Sequence, residues 1–363
     1  MTKRVLPILM CLIVVISLCG CSNPGGSKST SSPAGDIAET NLPILLPDST
    51  AGIPHPEPPV ETTAAPTLPA YEQEVDFIWK PYVMSEIYSE LYGEEFTVDF
   101  QSMVNAFLSY ELTFSCSSAE QADAINTAAG NCFPLLRMDV YFVEYDSVRK
   151  TGVLNYTWPK EEHMAGIKDF QNSITGFITS CVRKSDNGLT GALAMYMAYS
   201  GRITYDYSAL EDDSTADLSS YAGLTDYKGI CQTFGPAYAY LCLQMGIDAV
   251  NAGGLNSDSQ AHDWTLVKLD GAYYYMDTTW ENGDGGFGLK YFGMTSIDRA
   301  NAGNYINETT NVGNTNEIWG DDIDVSNSRF AVLRSAVYAC FNTERTQVDC
   351  TGADGSQWTF PLE

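Results

Sequence analysis

Three observations predict an α+β architecture: a long apolar stripe at helical spacing, a pair of alternating runs around a tight turn, and helices that come before strands. From Lys160 onward, Met164, Ile167, Phe170, Ile174, Phe177, Ile178, Cys181 and Val182 recur every three or four residues, which gives a long helix one buried side. The stretch AHDWTLVKLDGAYYYMDTTW, 261–280, holds two period-two runs on either side of Asp270-Gly271. That dipeptide suits a type I′ turn, which needs positive φ at both central positions. Helices followed by a block of strands segregate into α+β layers.

In chain order, Lys3 and Arg4 precede an apolar run from Val5 to Leu18 that ends in small residues, the pattern of a secretion signal over 1–21. Leu18-Cys19-Gly20-Cys21 resembles the bacterial lipobox. The resemblance implies acylation of Cys21, attachment to a membrane through that lipid, and a folded part facing outside the cytoplasm. An uncleaved transmembrane anchor of marginal length is the alternative, and it faces outward too. Residues 22–74 hold ten of the sixteen prolines, with Ser, Thr, Gly and Ala around them. Such a composition cannot pack, and it predicts an extended stalk.

Residues 75–159 read as an α/β N-terminal region without a chemical motif. MSEIYSELYG offers Ser85 as a helix cap and Gly93 as its close, VNAFLSYELTF and AEQADAINTAAG read as helices, and MDVYFVEYD and GVLNYTW read as strands of a hairpin or meander. The core is expected over 160–300. After its long helix, GALAMYMAYSG ends at Gly201 and delivers RITYDY, and an acidic loop from Glu211 to Ser220 follows. The extension, 301–363, begins in polar loop and ends in forty residues that read equally as helix or strand.

Composition excludes some partners. Forty-six acidic against 19 basic residues give a formal charge of −27, which repels a phosphate backbone and argues against nucleic acid. No Gly-rich phosphate loop or EF-hand pattern is present. His163 follows Glu161-Glu162 without a second histidine, so no metal site and no cofactor are expected. Setting aside the signal, Cys21 and a reactive Cys231, six cysteines remain. In an exported chain they permit disulfides, at most one or two here, with Cys340 and Cys350 the nearest pair. The competing reading is small buried hydrophobes, which Cys242 favours from inside an apolar helical run.

The chemistry converges on three residues. A two-residue turn places Leu269 opposite Ala272, so counting outward Trp264 faces Asp277 and Thr279 faces His262. His262 and Asp277 are then diagonal neighbours on one face, and the acid can hold the imidazole in one orientation and tautomer. Upstream, in DYKGICQTFGPAYAYLCLQMG, Cys231 follows a glycine and opens a helical run to Gly246. A helix start favours a thiolate, and its free N–H groups can cradle an oxyanion.

These residues resemble the transglutaminase-like superfamily, within the papain-like cysteine fold. The likeness covers about 205–292, and more loosely begins at Lys160. It implies a helix bearing the nucleophile packed on an antiparallel sheet, with Cys231 of Gly229-Ile230-Cys231 as nucleophile, His262 as general base and Asp277 of Asp-Thr-Thr-Trp as the orienting acid. Pro236, five residues after Cys231, departs from a plain helix start and calls for a helix that begins late. Asp263, where many relatives carry alanine, turns by alternation to the opposite face. Trp264, Tyr273, Tyr275 and Trp280 are expected as core and rim packing or as the lining of a substrate groove. The function implied is a lipid-anchored extracytoplasmic cysteine enzyme acting on a protein or peptide amide, by hydrolysis or by cross-linking. A catalytically inert binding module for peptide or glycan on the same fold is the alternative.

Overall fold

The computed structural model describes residues 68–210, 217–255, 260–303 and 310–362. The expected signal, Cys21 with its expected acylation, nearly all of the expected stalk and part of the acidic loop lie outside the described residues. Ser85 caps helix α1 (Glu86–Ser109) by accepting from the Ile87 amide. Gly93 does not close that helix as its sequence suggests. At φ 80° and ψ −173° it kinks the chain, and the helix resumes to Ser109, since glycine takes such a conformation without a Cβ penalty. Three short strands follow around a second helix: β1 (Thr113–Ser115), α2 (Ala119–Cys132), β2 (Val143–Asp146) and β3 (Thr151–Leu154). They form an antiparallel sheet in the order β1-β3-β2.

The predicted amphipathic run forms α3 (Lys160–Cys181), with Ile167, Phe170, Ile174, Phe177 and Ile178 buried along one side. The apolar helix after it is α4 (Gly188–Ser200), nearly all buried. Then come β4 (Thr204–Tyr205), α5 (Ser220–Thr225), β5 (Lys228–Gly229) and α6 (Cys231–Gln244), with β4 and β5 pairing in parallel. Strands β6 (Ala249–Leu255), β7 (Ala261–Leu269) and β8 (Ala272–Met276), and after two short helices α7 (Thr278–Gly283) and α8 (Ser296–Gly303) the strand β9 (Asn311–Val312), build a four-stranded antiparallel sheet ordered β8-β7-β6-β9. The segment read as polar loop after Phe292 thus contains α8. The ambiguous C-terminus is a meander, β10 (Ala336–Phe341), β11 (Gln347–Gly352) and β12 (Gln357–Pro361).

The hairpin has the expected register. Asp270 and Gly271 take φ of 48° and 81°, and Leu269 pairs with Ala272. One apolar cluster runs from Val83 to Leu362, and polar contacts stitch the N-terminal region to the main sheet. Trp79 donates to the Tyr240 hydroxyl at 2.7 Å, Ser85 donates to Asp248, and the Asn131 amide donates to Asn251 at 3.0 Å.

All seven described cysteines are free thiols, so the expected bridge between Cys340 and Cys350 is absent. The strand register explains it: Cys340 pairs with Asp349 while Cys350 pairs with Ala339. Neighbouring positions on one strand point to opposite faces, and the two sulfurs are therefore turned apart.

His163 is a second buried imidazole, but a structural one. Its Nδ1 lies 2.8 Å from Asp139 and its Nε2 2.8 Å from the Phe107 carbonyl. Asp139 also accepts from the Thr157 and Trp158 amides, so this pair pins α3 to the N-terminal region.

Candidate active site

Cys231 is the first residue of α6, after Ile230 in extended conformation. The helix therefore begins at the cysteine and not late, as Pro236 had suggested. Proline at the sixth position removes the amide that would bond the Gln232 carbonyl, and Gln232 is exposed. Thr233 fixes the start: its hydroxyl accepts from the Ile230 amide and donates to the Leu218 carbonyl at 3.0 Å. The Gly229 position is equally constrained, because a Cβ there would sit 2.5 Å from the Thr233 hydroxyl oxygen.

The direction of α6 against β7 sets where Cys231 lies. Gly235 is seated on the main chain of Trp264, where an added Cβ would come within 3.0 Å of its carbonyl oxygen, and the Thr265 hydroxyl donates to the Gly235 carbonyl at 2.9 Å. At the far end, Lys268 bonds Asp248, just beyond the end of α6. Nine helical steps from Gly235 to Gln244 and four strand steps from Trp264 to Lys268 both span roughly 13.5 Å, so helix and strand run the same way. One turn back from Gly235 is Cys231; two residues back from Trp264 is His262. Each step covers about 6 to 7 Å, which brings both to the same end of the helix–strand pair.

His262 is buried and donates or accepts through Nε2 at 2.7 Å from Asp277 Oδ2. The acid is the residue after β8 and the cap of α7, with Oδ1 accepting from the Trp280 amide at 2.9 Å. Two contacts thus fix the carboxylate, and the carboxylate fixes the ring. Nε2 is the ring nitrogen that meets Asp277, so the carboxylate sets which edge of the imidazole faces it. Among the described residues, no hydrogen bond joins the Cys231 sulfur to His262. Thr265 reaches α6 through its bond to the Gly235 carbonyl, while His262 stands with Asp277 and Trp280. In sites without substrate, catalytic hydrogen bonds are commonly long and tighten on binding.

The aromatic residues divide. Trp264 and Tyr275 are fully buried, flanking the Arg299 guanidinium at 4.4 and 4.7 Å, so they are core and cannot line a groove. Tyr273 is half-buried and bonds Asp248 at 3.0 Å. Trp280 is half-buried beside His262, ring centroids 5.3 Å apart, and packs edge-on against Tyr291. It alone of the four lies next to the imidazole and reaches the surface. Asp263 turns away as alternation requires, its carboxyl against Gly253, where burial pushes it up to about 6.

Sequence reasoning missed a group behind the acid. Glu281 and Tyr196 are buried, and the Tyr196 hydroxyl lies 2.9 Å from Glu281 and 3.1 Å from the Asp277 carbonyl. The one sequence hint is that Glu281 stands a helical turn after Asp277. No set of three or more His, Cys, Asp or Glu among the described residues could hold a metal ion.

Fold and site together define a mixed α and β chain with antiparallel sheets, a cysteine at a helix start, and a buried histidine–aspartate pair on the neighbouring sheet. No family model matches the chain, and no curated protein matches it. Among solved structures, a TGase is similar over 34% of each chain, at 21% identity and TM-score 0.27. A protein of Cytophaga hutchinsonii, provisionally assigned as a cysteine protease, is similar over 44% of this chain and 45% of its own, at 16% identity and TM-score 0.27. The chain therefore spans less than half the length of either.

Proposed function

We propose that this protein is a transglutaminase-like cysteine enzyme that opens amide bonds in a protein or peptide through a thioester. The reading is carried by one observation: Asp277 holds His262 through Nε2, at the end of β7 that lies beside the start of the Cys231 helix. The Cys231 sulfur attacks the carbonyl carbon and its proton passes to the His262 imidazole. First-turn amides of α6 stabilise the oxyanion, and the imidazolium returns the proton to the departing amine. The acyl group then leaves to water or to another amine. Hydrolysis is the favoured outcome, since water is abundant and nothing in the sequence marks an amine site.

Thiol reactivity tests this without a known substrate. Burial pushes Cys116 and Cys350 up to about 11 and Cys132, Cys181 and Cys242 up to about 12, so those thiols label slowly with iodoacetamide at neutral pH. Cys231 is expected to label at least about tenfold faster than the half-buried Cys340, read by peptide mass spectrometry. Should it label no faster, and should Cys231→Ala leave peptide hydrolysis and amine incorporation unchanged, the inert binding module stands instead. Anchoring through Cys21 is part of the same reading. Cys21→Ser is expected to release the protein from the membrane fraction, and retention there would refute lipidation.

A further inference from the structure

Glu281 is a buried carboxyl one helical turn beyond Asp277, and the chain is wrapped around it. Its Oε2 lies 2.9 Å from both the Tyr196 hydroxyl and the Tyr291 amide. A Cβ on Gly288 would stand 2.6 Å from the Ala336 carbonyl oxygen and 3.1 Å from Glu281 Oε1, so the glycine lets β10 and the carboxyl close on this side together. Beside the helical bond from the Glu281 amide to the Asp277 carbonyl at 3.1 Å, two bridges link the carboxyl to the main chain of Asp277. Tyr291 donates its amide to Glu281 and accepts the Asp277 amide at its carbonyl, 3.0 Å away. Tyr196 spans Glu281 and the Asp277 carbonyl.

The Tyr196 bridge has a proton-counting consequence. A phenol carries one proton, yet this oxygen has two oxygens within hydrogen-bond distance. The Asp277 carbonyl can only accept. If Tyr196 donates to it, the contact with Glu281 is satisfied only when Glu281 donates. A neutral Glu281 completes a chain from its own O–H through the phenol to the Asp277 carbonyl; an ionised one takes the phenol's proton and breaks the link.

We propose that Glu281 is a positioning residue for Asp277, acting as a neutral acid through Tyr196 and Tyr291 to hold the carboxylate that orients His262. This rests on the enzymatic reading above, and extends it to a group that touches no substrate. The other charged or titratable groups around Glu281 are Asp277 and Asp284 on its own element, Lys290, which pairs with Asp284 at 2.8 Å, Tyr196 from α4 and Tyr291. β10 contributes the Ala336 carbonyl, near Gly288. Burial pushes the Glu281 carboxyl up to about 7, against the Tyr291 amide and the Tyr196 hydroxyl, which pull it down.

The test follows the His262 Cε1–H resonance of the full chain against pH, assigned by its loss in His262→Gln. The wild type is expected to show, beside the ring's own titration, a second inflection near pH 7. Glu281→Gln, which cannot ionise, is expected to abolish that inflection. Tyr196→Phe is expected to shift the resonance at all pH values. A general loosening of the fold would not remove one inflection while leaving the other. Superimposable curves for wild type, Glu281→Gln and Tyr196→Phe would overturn the proposal. The Cys231 labelling rate is measured in parallel, so failure of the enzymatic reading shows in the thiol while the ring titration still decides the role of Glu281.

Discussion

Gly235 of α6 rests directly on the main chain of Trp264 in β7, close enough that a Cβ would stand 3.0 Å from the Trp264 carbonyl oxygen. This seam fixes how far Cys231 projects along the strand that carries His262. Gly235→Ala must move the helix by a few tenths of an ångström. The expected cost is about 1–3 kcal/mol, read from urea unfolding with the slope unchanged, together with slower Cys231 alkylation. Unchanged alkylation in a destabilised variant would separate the seam from the site.

Asp277 serves folding and chemistry at once, and two substitutions split the roles. Asp277→Asn keeps an acceptor for the Trp280 amide but no longer favours a positive imidazole or enforces its tautomer. Its stability should stay near wild type while amide cleavage falls by on the order of 10²–10⁴. Asp277→Ala also loses the cap, at about 1 kcal/mol more. Equal activity in the wild type and the asparagine variant would remove Asp277 from the mechanism.

Stability should depend on pH through Glu281. Its carboxyl is raised from 4.5 to about 7 in the folded protein by burial, so the folded state binds this proton more tightly than the unfolded chain. The contribution is complete below about pH 4.5 and is lost as pH rises through about 7. The gap of about 2.5 units, at about 1.4 kcal/mol each, sets the loss near 3 kcal/mol. Glu281→Gln is expected to flatten this decline between pH 5 and 8, measured as urea midpoints. The smaller decline that remains belongs to Asp263, raised from 3.8 to about 6. A slope identical to wild type would refute the assignment.

The sequence and the structure agree best where one local rule has a single solution. Asp270-Gly271 dictates the turn, the turn dictates the register, and the register puts Asp277 within reach of His262. Ser85 and the stripe on α3 follow equally local rules. Gly93 misled because a glycine can end a helix or bend it, and the choice is made by packing on both sides. Pro236 misled for a related reason: the residue that loses its helical donor, Gln232, is exposed, and exposure is not written in the neighbouring residues. Tyr196 and Glu281 stand 85 positions apart. Each looks ordinary alone, one a tyrosine in an apolar helix and the other an acid in a short one, and only the tertiary fold joins them. Tyr275 reads as either core or groove and is core because α8 covers it with Arg299, from a segment that reads as loop.

The unbridged cysteines carry a practical consequence. With no covalent link closing any loop among the described residues, the folded state owes nothing to an oxidant or an isomerase. Glutathione at cytosolic strength is expected to leave its melting curve unmoved, and a chain unfolded in urea is expected to regain its structure in the presence of dithiothreitol.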